Sequence, residues 1–274
     1  MASISPYGKR FISYLRRGQI RRLISSGNRL DGRPLDQYRD ITIRTNVTNT
    51  ADGSAEVLLG RTRVVAGVKI GLGNPFPDAP DEGVLVVNAE VLPHASPYSE
   101  VGPPDETAIE LARVVDRGLR HSGFIDFKRL AIDQSKVYVV WLDLYVLNDD
   151  GNLVDASNLA AVAALRSTML PTVVKDEAGA YKLDKNNRTA MPSDLSKAPI
   201  SVSLGKIDTR IIVDPILEEE LSLDSRITIT ISQDNIVSIQ KTIGYFSEQE
   251  LEQAIELSYK SKEFLKQILL KYLV

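Results

Sequence analysis

Cysteine is absent from the 274 residues of this chain. Disulfides, thiolate-ligated zinc and thiol nucleophiles are excluded together, and the absence suits a reducing compartment. Histidine is nearly as scarce, with only His94 and His121. A Ser-His-Asp triad or a multi-histidine metal centre is therefore not expected, and any metal would be a hard cation held by carboxylates. No apolar run nears the roughly 18 residues that a membrane span needs. The N-terminus carries basic residues but no apolar stretch leading to a small-residue cleavage site, so no secretory signal is expected. The expectation is a cytoplasmic protein with no membrane segment.

What is present is ordinary in bulk: 43% hydrophobic and 25% charged residues, enough to build a real core. The net charge of −3 is unevenly spread. Residues 1–40 hold nine Lys or Arg against three Asp, so a basic arm precedes an acidic body. Such an arm suggests an anionic partner, either nucleic acid or an acidic neighbouring subunit. A solvated basic helix explains the same charges.

Residues 6–26 read as that helix, with Phe11, Leu15, Ile20, Leu23 and Ile24 apolar among the arginines. Gly18 weakens its middle, and the run Ser25-Ser26-Gly27-Asn28 ends it. Strands are expected over residues 41–44, 56–59, 64–70 and 84–92, the last mostly apolar and so buried on both faces. Gly71-Leu72-Gly73-Asn74-Pro75 reads as a loop, without the context of a dinucleotide fingerprint. Residues 137–147 form a long strand in which Asp143 is either paired or faces a cleft; pairing is expected. An alanine-rich helix follows over residues 155–168, then a surface hairpin near residues 173–188. Two strand pairs are expected, residues 200–204 with 209–213 and 227–231 with 236–239. A final helix over residues 247–273 opens on a capping box of Ser247 and Glu250. Two loosely similar halves each run strands and then helix, which is an α+β plan.

Residues 102–120 stand apart. Gly102, Pro103 and Pro104 precede Asp105, a good helix cap. Ala108, Leu111, Ala112, Val115 and Leu119 then recur at helical spacing, so one face is core. Arg113, Arg117 and Arg120 fall within an arc of about 60° on another face. Aligned guanidinium groups grip phosphates. Glu110 and Asp116 sit three or four positions away and offer the alternative of ordinary ion pairs along a solvated face.

Four passages stand in a telling order: Arg29-Leu30-Asp31-Gly32-Arg33; Asp52-Gly53-Ser54-Ala55-Glu56-Val57 with Gly60; residues 102–120; and Trp141-Leu142-Asp143 through Gly151-Asn152-Leu153-Val154-Asp155-Ala156 to Leu165. Together they closely resemble the RNase PH family across nearly the whole chain. That family comprises phosphorolytic 3′→5′ exoribonucleases, polynucleotide phosphorylase domains and exosome ring subunits. Within it the chain looks most like the larger, non-catalytic RNase PH-like ring subunit of the archaeal exosome. The resemblance implies the RNase PH fold, mixed sheets with packed helices, over residues 29–274, preceded by a basic N-terminal helix over residues 1–28.

The resemblance also implies chemistry. In catalytic relatives inorganic phosphate attacks the terminal phosphodiester, and a Ser or Thr followed by Arg at a helix N-terminus helps bind it. The matching positions here are Leu153 and Val154, whose side chains cannot donate to phosphate. Those relatives also use two aspartates six positions apart for metal and acid roles. Asp208 and Asp214 hold that spacing, as a residual carboxylate pair without a metal or as a turn residue and a strand terminator. The resemblance thus implies no catalytic residue and no cofactor of its own, with Mg and inorganic phosphate used by a partner's active site. It implies RNA contact by Arg113 and Arg117, and more weakly by Arg120. The implied partners are a catalytic RNase PH-like subunit in an alternating hexamer, an RNA-binding cap subunit and single-stranded RNA. Two other functions remain open: a nuclease acting alone through Asp208 and Asp214, and a binder of small phosphorylated metabolites.

Overall fold

The computed structural model describes residues 11–175, 177 and 179–273. It begins with helix α1, Tyr14–Ser25, capped by Ser13, whose hydroxyl accepts from the Arg16 amide at 3.2 Å. The expected helix over residues 6–26 is shortened at its start, and its stretch up to residue 10 lies outside the described residues. Ile20 and Ile24 of α1 are buried against Ile207, Ile212 and Leu223. Beside them Arg16 pairs with Glu218 at 2.7 Å, and Arg21 pairs with Asp208 and, at 2.6 Å, with Asp224. The anionic partner of these basic residues is thus the acidic body of the same chain.

A five-stranded sheet follows, built from β1 (Ile41–Thr45), β2 (Gly53–Leu59), β3 (Thr62–Gly73), β4 (Val84–Val91) and β5 (Val137–Asn148) in the order β1-β2-β3-β5-β4. Helix α2, Glu106–Ser122, lies between β4 and β5 in sequence, and that crossover allows the two strands to pair in parallel. All other pairs in this sheet are antiparallel. After helix α3 (Leu153–Ser167), strands β6 (Met169–Lys175) and β7 (Tyr181–Ala190) form the expected surface hairpin. A second, antiparallel sheet holds β8 (Ile200–Ile207), β9 (Arg210–Val213), β10 (Ser225–Ser232) and β11 (Asn235–Ile243) in the order β11-β10-β8-β9. The short helix α4 (Leu217–Glu220) precedes β10. Helix α5 (Glu248–Leu273) closes the chain on its capping box: the Ser247 amide donates to Glu250 at 2.7 Å and the Glu250 amide to Ser247 at 3.3 Å.

Helix α3 forms the centre. It packs on β2 and β3 of one sheet and on β8 of the other. Its residues from Leu153 to Leu165 are all buried. Ala160, Ala161, Ala163 and Ala164 carry too little side chain to hold the sheets apart. Gly53 completes the approach, because a Cβ there would sit 2.1 Å from the Thr168 hydroxyl. The α+β class, the mixed sheets and the N-terminal helix all match the expectation from sequence.

Two expectations are corrected. Strand β4 is not buried on both faces; it is the sheet edge, with Asn88 exposed and donating to Asp143 at 3.0 Å. The partner of Asp143 is thus an amide rather than a cation. The Gly71–Gly73 stretch is not a loop but the end of β3, paired with Val139 and Val137. A Cβ on Gly71 would meet the Trp141 ring at 2.4 Å, so this glycine makes room for indole instead of turning the chain. Among the described residues no helix is long and apolar enough to cross a membrane.

Candidate nucleic-acid interface and the cleft beside it

Helix α2 starts as its sequence dictates. The Asp105 carboxylate accepts from the Ala108 amide at 2.8 Å, and Gly123 ends the helix in the left-handed region at φ 71°. Ala108, Leu111, Val114, Val115, Gly118 and Leu119 are buried, so the three arginines lie on the face turned from the core. The structure then separates them chemically. Arg120 donates to both carboxylate oxygens of Asp116 at 2.9 Å and to the Leu85 carbonyl. Arg117 is half-buried and donates one bond, from Nη1 to Oε1 of Gln240 at 3.3 Å. Arg113 is exposed, with no hydrogen-bond or ion-pair partner among the described residues. Asp116 neutralises Arg120, while Glu110 turns to Gln240 and Thr242 of β11 at 2.9 and 3.1 Å and to no arginine. Two of the three cations keep their charge for an external anion.

Beside this face, a cleft opens at the N-terminus of α3. It is lined by Leu153, Val154, Glu220 and Arg226, with Glu110 and Gln240 on its α2 side. Its volume of about 30 Å³ leaves room for a water molecule or two. A helix N-terminus attracts anions. Here the anion is the protein's own: the Asn152 amide donates to Oε1 of Glu220 at 2.8 Å, and the same oxygen lies 3.4 Å from Nη2 of Arg226. The side chains of Leu153 and Val154 bring no donor, and Glu220 takes the amide of the cap residue Asn152.

Asp208 and Asp214 do not meet. They stand at opposite ends of β9, both with positive φ, 52° and 50°. Asp208 is an exposed turn residue held by Arg21 and by the Ser25 hydroxyl at 2.8 Å. Asp214 is wholly buried. It accepts from the Arg39 amide at 2.8 Å, Arg39 Nη2 at 2.7 Å, Arg33 Nη1 at 2.9 Å and Asn152 Nδ2 at 2.7 Å. Of the two readings of this pair, the arrangement fits a turn residue and a strand terminator: Asp208 anchors α1, and Asp214 pairs with two arginines. Among the described residues, no three His, Cys, Asp or Glu side chains are grouped as metal ligands. The acid that lies in the cleft is Glu220, followed six positions later by Arg226.

The Arg29-to-Arg33 passage proves to be a brace. Arg29 is buried against Glu219 and donates to the Val213 and Asp214 carbonyls, each at 2.8 Å. Arg33 reaches Asp31 and Asp214. Deeper still, Asp155 accepts from the Tyr38 hydroxyl at 2.7 Å, from Asn152 at 2.9 Å, and from the Ser203 amide and hydroxyl at 3.0 and 2.8 Å. Complete burial nonetheless pushes its carboxyl up to about 6, against the lowering effect of those donors. Burial, with the Asp155 charge next in importance, raises the Tyr38 hydroxyl well above its ordinary value.

The chain belongs to the 3′ exoribonuclease, or RNase PH, family: the model of domain 1 matches residues 37–171 and that of domain 2 matches residues 197–261. A curated relative, the exosome complex component Rrp42 of Pyrobaculum aerophilum, is 67% identical over 265 residues, covering 97% of each chain. The protein of the same name from Thermococcus onnurineus is 47% identical over 88% of this chain and 89% of its own length. In a solved structure described as the Archaeoglobus fulgidus exosome with RNA bound to the active site, one chain matches with a TM-score of 0.83 and 41% identity, over 92% of this chain and 97% of that one. A chain of an archaeal exosome core matches with a TM-score of 0.80 and 38% identity, over 93% of this chain and 96% of that one.

Proposed function

We propose that this chain is a subunit of an archaeal exosome ring that performs no phosphorolysis itself and holds RNA phosphates for a catalytic neighbour. One contrast carries the reading. At the start of α3 the chain's own Glu220 takes the Asn152 amide beside apolar Leu153 and Val154, while Arg113 and Arg117 on the adjacent helix pair with no anion among the described residues. Contacts of this kind position single-stranded RNA without reading its sequence. Arg120, already discharged by Asp116, is the weakest of the three contacts. The catalytic RNase PH-like partner would alternate with this chain in a hexamer and would use Mg and inorganic phosphate at its own site, and an RNA-binding cap subunit would complete the assembly. A cytoplasmic location follows from that role. The other enzymatic reading, a nuclease acting alone through Asp208 and Asp214, lacks support because Asp208 is held by Arg21 and Ser25 and Asp214 is buried among Arg33, Arg39 and Asn152.

The test is phosphorolysis of poly(A) with magnesium and phosphate. The purified chain is expected to release no nucleoside diphosphate, whereas its mixture with the catalytic subunit releases it processively. Turnover by this chain alone, free of the partner, would overturn the proposal.

A further inference from the structure

The single hydrogen bond of Arg117 is part of a relay. Gln240 and Thr242 lie two residues apart on β11 and so point to the same side of the strand, toward α2. Glu110 and Arg117 stand seven positions apart on α2, two turns along one face, and about 10 Å of helix separates them. They make no direct contact; the Gln240 amide bridges them. Its Nε2 donates to Glu110 at 2.9 Å, and its Oε1 accepts from Arg117 at 3.3 Å.

The relay has a fixed sense. An ionised carboxylate only accepts, so Glu110 requires the NH₂ end of the amide and turns the carbonyl toward Arg117. Thr242 donates to the same Glu110 oxygen at 3.1 Å and holds it in place. The carbonyl is a neutral acceptor. It restrains the guanidinium through one nitrogen and leaves its charge and remaining N–H groups for another anion. Arg120 shows the contrasting outcome on the same helix, where a bidentate carboxylate orients the side chain and also cancels its charge. Neutral anchoring meets the demand of a phosphate contact, which needs orientation without neutralisation.

We infer that Gln240 is a positioning residue for RNA, aiming Arg117 at a phosphate without discharging it, with Glu110 and Thr242 fixing the direction of its amide. This rests on the reading of Arg117 as an RNA contact. Gln240 is half-buried on an edge strand, so replacement leaves the core intact.

The experiment uses the assembled ring with its catalytic partner and measures oligoadenylate affinity across a salt series. Gln240→Met keeps the shape and loses the acceptor; affinity is expected to fall about fivefold, the worth of one hydrogen bond, with the salt slope unchanged. Gln240→Glu replaces the neutral acceptor with an anion; affinity falls further and the slope becomes shallower by about one phosphate contact, as Arg117 is now paired internally. In an Arg117→Ala background, Gln240→Met is expected to change nothing more. Wild-type binding by both Gln240 variants, with Arg117→Ala still weakened, would overturn the inference and leave the RNA-contact reading standing. Wild-type binding by Arg117→Ala itself would overturn both. A Gln240→Met effect that persists without Arg117 would show that Gln240 acts by another route.

Discussion

Removing the charges of helix α2 one at a time separates an RNA-facing surface from an ordinary solvated one. Among the described residues Arg113 has no partner, Arg117 has a neutral one, and Arg120 is held by both oxygens of Asp116. Each charge that neutralises a phosphate on single-stranded RNA contributes about 0.7 to the slope of log affinity against log salt. Replacing Arg113 and Arg117 together with alanine is therefore expected to make the slope shallower by about 1.4. Between 50 and 200 mM salt that difference changes the affinity ratio by roughly sevenfold, since a fourfold change in salt is raised to that power. Arg120→Ala is expected to change the slope by much less, because its guanidinium is already held by Asp116 and is not free to take a phosphate. Fluorescence anisotropy of a labelled oligoadenylate on the assembled ring, titrated at several salt concentrations, provides the slopes. An Arg120→Ala slope change equal to that of Arg113→Ala would refute the link between internal pairing and RNA contact. An unchanged slope in the double variant would show that these arginines hold no phosphate.

Two further predictions concern the buried acids. Asp155 has a folded carboxyl raised from 3.8 to about 6, so the folded state holds its proton more tightly than the unfolded state does. Its contribution is complete below the unfolded value and is lost as pH rises from about 4 to about 6, a loss on the order of 3 kcal/mol. Urea unfolding of the chain and of Asp155→Asn over that range is expected to show a stability difference that varies with pH; a constant difference would rule out the titration. Asp214 is the buried anion shared by Arg33 and Arg39, and Asp214→Asn leaves Arg33 only Asp31 and Arg39 only Asp150, at a cost of up to about 3–5 kcal/mol. Rings that still assemble with this variant are expected to degrade RNA at the wild-type rate, and near-complete loss of activity in such rings would assign Asp214 a part in the chemistry.

How much of the site could be read from sequence depended on the range of the interactions. Asp105, the apolar stripe and the arc of arginines on α2 follow from helical period and capping, which act over one or two turns. Their pairing does not. Asp116 and Glu110 were equally placed to neutralise arginines, but Glu110 was drawn away by Gln240 and Thr242, which the fold delivers from β11. The missing donors at Leu153 and Val154 were legible, whereas the acid that replaces phosphate was not. Glu220 reaches the start of α3 from a segment 68 residues further along, and local spacing favoured Asp208 and Asp214 instead. Once folded, β9 holds those two apart.

The sequence by itself determined the elements and their class: the alanine-rich helix, the hairpins, the capping box of α5 and the loss of phosphate-donating side chains at α3. It could not determine what the basic N-terminal helix touches, and there the tertiary structure decided for Glu218, Asp208 and Asp224 of the same chain. It also left open which charges remain available. Charge availability is a property of neighbours in space, and those neighbours are supplied by strand order and helix packing rather than by distance along the chain. Arg113 and Arg117 face no internal anion, and Arg120 does, because among the described residues the fold placed a neutral amide beside Arg117, no partner beside Arg113, and left Arg120 to Asp116 of its own helix.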